Sequence, residues 1–277
     1  VGRAKDIQVK VIPSKAANAF VKKFHYSGKV GGNSQLHFGC FLDGTLGGVM
    51  SFGPPMDKRK VLPLVVDSCG NPCLWNEMME LNRMAFSELL PRNSESRCMA
   101  IAFRLLKKNA KHIKWILSFS DGTQCGDGTI YRASGFSLTA VRESLSDLWL
   151  LPEALGGGVV HRIVIHAAPG SILGKMVLKK YGTRNIPMTK LAKDYGGVLM
   201  SGFQLRYIKI LEKGLTLSCP ELPYSAIDEA GAGMYKGEKI TIAERQQAHE
   251  AKVSTKQPAS SGKEGGAGPT HALNLKP

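Results

Sequence analysis

Residues 75–136, WNEMMELNRMAFSELLPRNSESRCMAIAFRLLKKNAKHIKWILSFSDGTQCGDGTIYRASGF, set the order of the fold. Met78 to Phe86 alternates apolar Met79, Leu81 and Met84 with polar Glu80, Asn82 and Arg83, closely enough to predict a strand with a bulge. Pro91-Arg92-Asn93-Ser94 reads as a turn, with Ser94 the N-cap of a helix over about Glu95 to Asn109. Met99, Ala102, Phe103 and Leu106 recur at helical spacing as its buried stripe, while Arg97, Arg104, Lys107 and Lys108 lie off it. Such a turn gathers unpaired N–H groups at the positive end of a helix dipole, a setting that suits a phosphate. Trp115 to Ser120 then returns as a buried strand ending in Asp121-Gly122. Strand, anion-type turn, helix and strand form the heart of an α/β transferase, so a mixed α/β sheet is predicted.

Outward from this segment, Ile7 to Val11 alternates as an opening strand, and Ser14 caps a helix to Phe24 with Ala17, Phe20, Val21 and Phe24 on its apolar face. His25-Tyr26-Ser27 stands at the end of that helix before Gly28, a natural stop. The triplet offers a base, a phenol and a hydroxyl to a cleft; from the residues alone, ordinary surface is the competing reading. Leu36 to Leu42 and Thr45 to Phe52 flank Asp43-Gly44, the best hairpin signal in the chain. Residues 54–74 hold four prolines and Asp57-Lys58-Arg59-Lys60, and read as a solvated loop, with a DNA-facing loop as the alternative. Ser137 to Arg142, His161 to His166 and Phe203 to Ile210 read as further strands. Between them, Leu145 to Leu155 suggests a short helix whose Trp149 packs inward.

The 277 residues carry 37 Lys and Arg against 22 Asp and Glu, a formal charge of +15, of which residues before Ser225 hold +14. Excess positive charge on a folded core favours a polyanion, through phosphate contacts and counterion release. The charge is densest from His161 to Lys193, where Arg162, Lys175, Lys179, Lys180, Arg184, Lys190 and Lys193 meet no acidic residue and Tyr181 and Tyr195 lie in or beside the run. Basic charge interleaved with aromatics is how a groove tracks a phosphate backbone and stacks a displaced base. From Ser225 the composition turns to Gly, Ala, Ser, Lys and Gln, which predicts a disordered tail over 225–277 behind one domain over 1–224. Cys69 and Cys73 share a C-x3-C spacing without a second close pair, so reduced cytosolic thiols are expected rather than zinc. The start VGRAKDIQVK lacks the apolar run of a secretory signal, and no stretch approaches the ~20 apolar residues of a membrane span. A cytoplasmic protein is expected.

Several of these motifs together resemble a known family. Ile130-Tyr131-Arg132-Ala133-Ser134-Gly135-Phe136 is similar to the Y-x-x-x-G-F helix end of the GNAT acyltransferase fold, where a thioester donor lies between two splayed strands. His25-Tyr26-Ser27, Leu36-His37-Phe38-Gly39, Ser51-Phe52-Gly53-Pro54-Pro55, Glu80-Leu81-Asn82-Arg83, Pro91 to Ser96 and Ser118 to Gly122 resemble, in order, the phage Mom proteins. The resemblance covers roughly residues 15–210. It implies a GNAT-like fold with a basic C-terminal extension at about 161–210, and transfer of a methylcarbamoyl-type group to the N6 amine of adenine in DNA. Such modification shields phage DNA from restriction, which implies a bacterial host cytoplasm during infection or from a prophage.

The resemblance further implies His25 and Asp121 as candidate bases, Tyr26 and Tyr131 as phenols, Ser27 beside them, and Arg83 as a carbonyl or phosphate holder. Asn82, Arg92, Asn93, Ser94, Ser96 and Arg97 would bind the donor, and Lys175, Lys179, Lys180, Arg184, Lys190 and Lys193 the DNA. The competing readings are a plain Asp121-Gly122 turn, a core Tyr131 and an Arg83 paired with Glu80. The family's product contains a nitrogen that simple acetyl transfer does not supply, so a redox metal, iron held by His25, Asp121 and a tyrosine, accompanies an acetyl-CoA-type donor as an expected cofactor. One departure stands out: the standard turn Q/R-x-x-G-x-G/A is here Arg92-Asn93-Ser94-Glu95-Ser96-Arg97, without glycine, which argues against conventional coenzyme A binding. The expected partners are double-stranded DNA with the target adenine flipped out, the small donor and, as an option, a second copy of the chain. The rival functions are a conventional acetyl-CoA-dependent N-acetyltransferase and a non-catalytic DNA-binding protein.

Overall fold

The computed structural model describes residues 3–166, 170–235 and 238–239, which belong to one compact unit. Its centre is an eight-stranded mixed sheet built from β1 (Gln8–Val11), β2 (Leu36–Leu42), β3 (Thr45–Gly53), β4 (Met78–Phe86), β5 (Trp115–Asp121), β6 (Ser137–Leu150), β7 (Val159–His161) and β8 (Val198–Ile210). Their order across the sheet is β1-β2-β3-β4-β5-β8-β6-β7, antiparallel throughout except for the central parallel pair β4 and β5. The helices of note are α1 (Ser14–Phe24), α2 (Ser94–Asn109), α3 (Thr129–Ala133), α4 (Ile172–Tyr181) and α5 (Met188–Tyr195). This is the mixed α/β fold expected. The connection from β4 to β5 is a helix, as a parallel pair requires.

Two apolar layers sandwich the sheet. Met99, Ala102, Phe103 and Leu106 of α2 pack with Cys40, Met50, Phe52, Leu81 and Ile116 on one face. Ala17, Phe20 and Val21 of α1 pack with Val49 and Ala85 on the other. The predicted hairpin is present, with Asp43 at φ 49° and Gly44 at φ 77°, the paired positive dihedrals that a tight two-residue turn demands.

The bulge in β4 decides what the site can be. Ser51 pairs with Arg83 and Phe52 with Leu81, so Asn82 is the extra residue. Without that insertion Leu81 and Arg83 would point to the same face, because strand side chains alternate. With it, Met79, Leu81, Met84 and Phe86 all pack on the α2 side, and Glu80 and Arg83 share the opposite face.

Several expectations need correction. Ser94 is not the cap: α2 starts at Ser94, Asn93 precedes it at φ 65°, and the buried Ser94 hydroxyl turns back to the Pro91 carbonyl. The HRIVIH run is not one strand, since β7 ends at His161 and Ile163–His166 forms a helical turn. β6 runs on to Leu150, through the region where a helix was predicted, leaving only a 3-10 turn at Glu153–Leu155. Trp149 is fully buried, as expected. The boundary predicted at Ser225 falls too early, because Ser225–Glu229 is helical and Ile227 is buried in the main core. The remainder of the predicted tail, from residue 240, lies outside the described residues. Among the described residues no helix is long and apolar enough to cross a membrane.

Candidate active site

β4 and β5 pair only from Met78↔Trp115 to Leu81↔Ser118, although β4 continues to Phe86 and β5 to Asp121. Beyond Leu81 the strands part, each still bonded to its outer neighbour, and the gap opens at the bulge. Ser118 stands at the fork. Its Oγ lies 3.2 Å from the Leu81 carbonyl and 3.1 Å from the Tyr131 hydroxyl. Serine has one hydrogen to give; a carbonyl only accepts, so Ser118 donates to Leu81 and receives from Tyr131.

Tyr131 reaches the fork from α3. Its ring stacks on Tyr207 at 4.1 Å and 5°, and meets Phe136 edge-on at 5.3 Å. It is thus a core side chain, as the competing reading had it, whose hydroxyl nevertheless ends at the strand splay. Burial holds that phenol far above its ordinary range, so it stays neutral.

The turn after α1 covers the other face. His25 caps α1, and its Nδ1 accepts the Ser27 N–H at 3.2 Å and lies 2.8 Å from the Ser27 hydroxyl. A ring nitrogen that accepts an N–H carries no hydrogen, which places the proton on Nε2. Burial, then the nearby Arg83 charge, lowers His25 to about 4, so the imidazole is neutral, with its hydrogen on Nε2. Tyr26 exposes 54% of its surface while its hydroxyl end is desolvated; burial first, then Cys125 and Asp121, hold the phenol well above its usual range, and Arg83 opposes them. The Cys125 thiol lies beside this phenol.

Arg83 donates from Nε to the Lys29 carbonyl at 2.8 Å. Asp121 Oδ1 accepts the Thr123 N–H at 2.9 Å and the Thr123 hydroxyl, so it does shape the Asp121-Gly122 turn; its Oδ2 faces His161 Nε2 at 3.4 Å. Glu80, on the Arg83 face of β4, is pushed up to about 7 by burial, with Arg83 pulling the other way. Tyr26, Arg83, Asp121, Tyr131 and Glu80 lie close enough to influence one another's charge, Tyr26 through Asp121, Arg83 and Tyr131, and Glu80 through Arg83 and Tyr131. Glu80 and Cys125 were not singled out from the sequence. The only signal for Glu80 was a carboxylate next to Asn82-Arg83 in a bulged strand, and its face depends on where the bulge falls.

Residues 6–226 match the Mom protein family. The chain belongs to that family. It is 31% identical over 214 residues to the methylcarbamoylase Mom of Escherichia phage Mu, covering 76% of this chain and 78% of that protein. Among solved structures, the ribosomal-protein-S18-alanine N-acetyltransferase of Escherichia coli shares 7% identity at TM-score 0.38, covering 74% of this chain and 94% of its own. A GNAT-family acetyltransferase from Streptococcus pneumoniae shares 9% at TM-score 0.38, covering 74% and 99%.

Most of the remaining predicted residues of this Mom-family chain fall into two places, the start of α2 and the α4–α5 extension. Arg92, Asn93, Ser96 and Arg97 line a depression of about 700 Å³ at the start of α2, together with Lys5 and Arg104. Ser94 is turned away from it, and Asn82 sits instead at the bulge, where its Oδ1 accepts from the Ser34 hydroxyl at 2.9 Å. The glycine-free turn still contains a left-handed residue, because Asn93 supplies the positive φ that glycine gives elsewhere.

The basic residues ride on α4, α5 and their link. Trp149, Leu151, Ile165, Val177, Met188 and Leu191 form a separate small core beneath them. Lys175, Lys179 and Lys193 are exposed, whereas Lys180 lies 4.2 Å over the Tyr195 ring and Lys190 pairs with Asp194 at 3.3 Å. Tyr181 donates to Asp194 at 2.6 Å and Tyr195 packs toward Trp149, so neither tyrosine is the open stacking platform predicted. As for the expected iron, among the described residues no group of three or more His, Cys, Asp or Glu gathers into a ligand set.

Proposed function

We propose that this Mom-family transferase modifies DNA, attaching a methylcarbamoyl-type group to the N6 amine of adenine in a duplex and so protecting phage DNA from host restriction. The observation that carries this reading is the gathering of His25, Tyr26, Glu80, Arg83, Asp121 and Tyr131 at one strand splay.

The N6 amine is a poor nucleophile, because its lone pair is delocalised into the ring, and the duplex hides it in the stack. An enzyme acting there extrudes the base and assists loss of a proton. Glu80, with a carboxyl titrating near neutrality, is the group on the Arg83 face best matched to accept that proton. Arg83 and the neutral phenol of Tyr26 are donors for an oxyanion forming on the transferred group. The depression rimmed by Lys5, Arg92, Arg97 and Arg104 suits an anionic part of the small donor that supplies the group.

The test is mass spectrometry of nucleosides from DNA of cells making the full chain or its Arg83→Ala variant. Altered adenosine with the wild type and none with Arg83→Ala supports the reading. Unaltered adenosine with intact DNA affinity leaves a DNA-binding protein. Unaltered DNA with acetylated protein or small molecules leaves a conventional acetyltransferase.

A further inference from the structure

β5 and β7 are three strand spacings apart in the sheet order, which in a flat sheet separates them by about 14 Å. Yet His161 at the end of β7 brings Nε2 to 3.4 Å from Asp121 Oδ2 at the end of β5, and both side chains are largely buried, 14% and 17% exposed. The sheet must therefore curl, and the cause is local. The pairing of β6 with β8 breaks between Ser144 and Leu148, so residues 145–147 leave the ladder. Asp147, inside that break, accepts from the Ser144 hydroxyl at 2.8 Å, and its carboxylate pairs with Arg162 at 2.9 Å. Its carbonyl also accepts the Arg162 N–H at 2.7 Å. Gly202 faces the break, and a Cβ there would lie 2.4 Å from the Asp147 Cβ, so a side chain at 202 is incompatible with the bend.

The imidazole is oriented as well as placed. Its Nδ1 accepts the Ile163 N–H at 3.1 Å, which leaves the ring hydrogen on Nε2, the atom facing the carboxylate. Asp121 Oδ1 is already held by Thr123, so the contact with His161 fixes the second oxygen.

We propose that His161 is a positioning residue for Asp121, through which the basic extension sets the carboxylate on the floor of the cleft. The inference rests on the DNA-modification reading. It makes the extension more than a DNA grip: the first residue of the basic run is also the one that reaches the reaction centre.

The experiment compares adenine modification by the full chain in cells for wild type, His161→Ala, His161→Gln, Asp121→Asn and the His161→Ala/Asp121→Asn double variant. DNA affinity is measured on the purified proteins. His161→Ala is expected to lower modification by about tenfold to a hundredfold, the scale of a misplaced catalytic group, with DNA affinity unchanged. His161→Gln, whose amide can donate in the same direction, restores part of the loss. In the Asp121→Asn background His161→Ala adds less than about twofold, because the two act as one unit. Full modification by His161→Ala, or losses that multiply in the double variant, overturns the proposal. If the wild type itself leaves adenosine unaltered, the functional reading has failed instead, and the inference goes with it.

Discussion

The cleft at the β4–β5 fork and the basic extension carry polar chemistry in opposite ways. In the cleft, side chains from positions 25 to 131 meet through packing, and burial moves His25 down to about 4 and Glu80 up to about 7. On the extension, Lys175, Lys179 and Lys193 are exposed on neighbouring helices, and their contribution is a sum of similar charges. Each region also has its own apolar core. Single substitutions should therefore matter greatly in the first and little in the second, where only groups of substitutions should register.

Arg83→Ala is the most severe break expected. It removes a half-buried cation from beside Glu80, His25 and Tyr26, and loss of one preorganised donor typically costs about a hundredfold to a thousandfold in rate. Nucleoside mass spectrometry should show modified adenosine reduced to that degree while DNA affinity is retained. A parallel fall in affinity would erase the contrast between the regions.

Glu80→Gln comes next. A positioned general base contributes about a hundredfold or more. Wild-type activity should rise with pH through about 7 as the Glu80 carboxyl ionises, and the glutamine variant should lose that limb. Stability runs in the opposite direction. The folded carboxyl is raised from 4.5 to about 7, so its contribution is fully present below 4.5 and is lost as pH climbs through 7. An unchanged pH profile in Glu80→Gln would remove the residue from the chemistry.

These predictions depend on features of unequal legibility. The Asp43-Gly44 hairpin, the α2 stripe and the bulged β4 could be read because each signal lies within a few neighbouring residues. Which face Glu80 takes could not, since it turns on whether Asn82 or a neighbour is the unpaired residue, and that is fixed by pairing with β3. His161 escaped for a similar reason. HRIVIH is a short apolar run, equally suited to strand or helix, and its contact with Asp121 requires a curl created by Asp147 and Gly202. The polar composition after Ser225 hid Ile227, one apolar side chain whose burial the rest of the segment does not announce.

The extension is tested by a group. Replacing Lys175, Lys179 and Lys193 with alanine should flatten the log–log salt dependence of duplex binding by about 0.9 for each phosphate that is no longer neutralised. Each single replacement should barely register. Lys180 and Lys190 are poorer choices, since an aromatic ring and Asp194 already engage them. An unaltered slope in the triple variant would place the DNA surface elsewhere on the molecule.

The smallest effect concerns the turn before α2. Asn93 holds φ 65° and its side chain makes no capping bond, so its local value is conformational: asparagine tolerates the left-handed region better than residues without a short polar group. Asn93→Ala should therefore destabilise the protein by about 1 kcal/mol, and Asn93→Gly should not, since glycine adopts that conformation freely. Urea denaturation resolves the two; equal losses would mean that the backbone dihedral is not what the residue supplies. The glycine variant then asks a second question. It preserves the turn while removing the amide from the rim of the depression that Arg92, Ser96 and Arg97 share, so a loss of donor affinity in a stably folded Asn93→Gly protein would assign the amide a contact with the donor, and retained affinity would make Asn93 the substitute for a missing glycine alone.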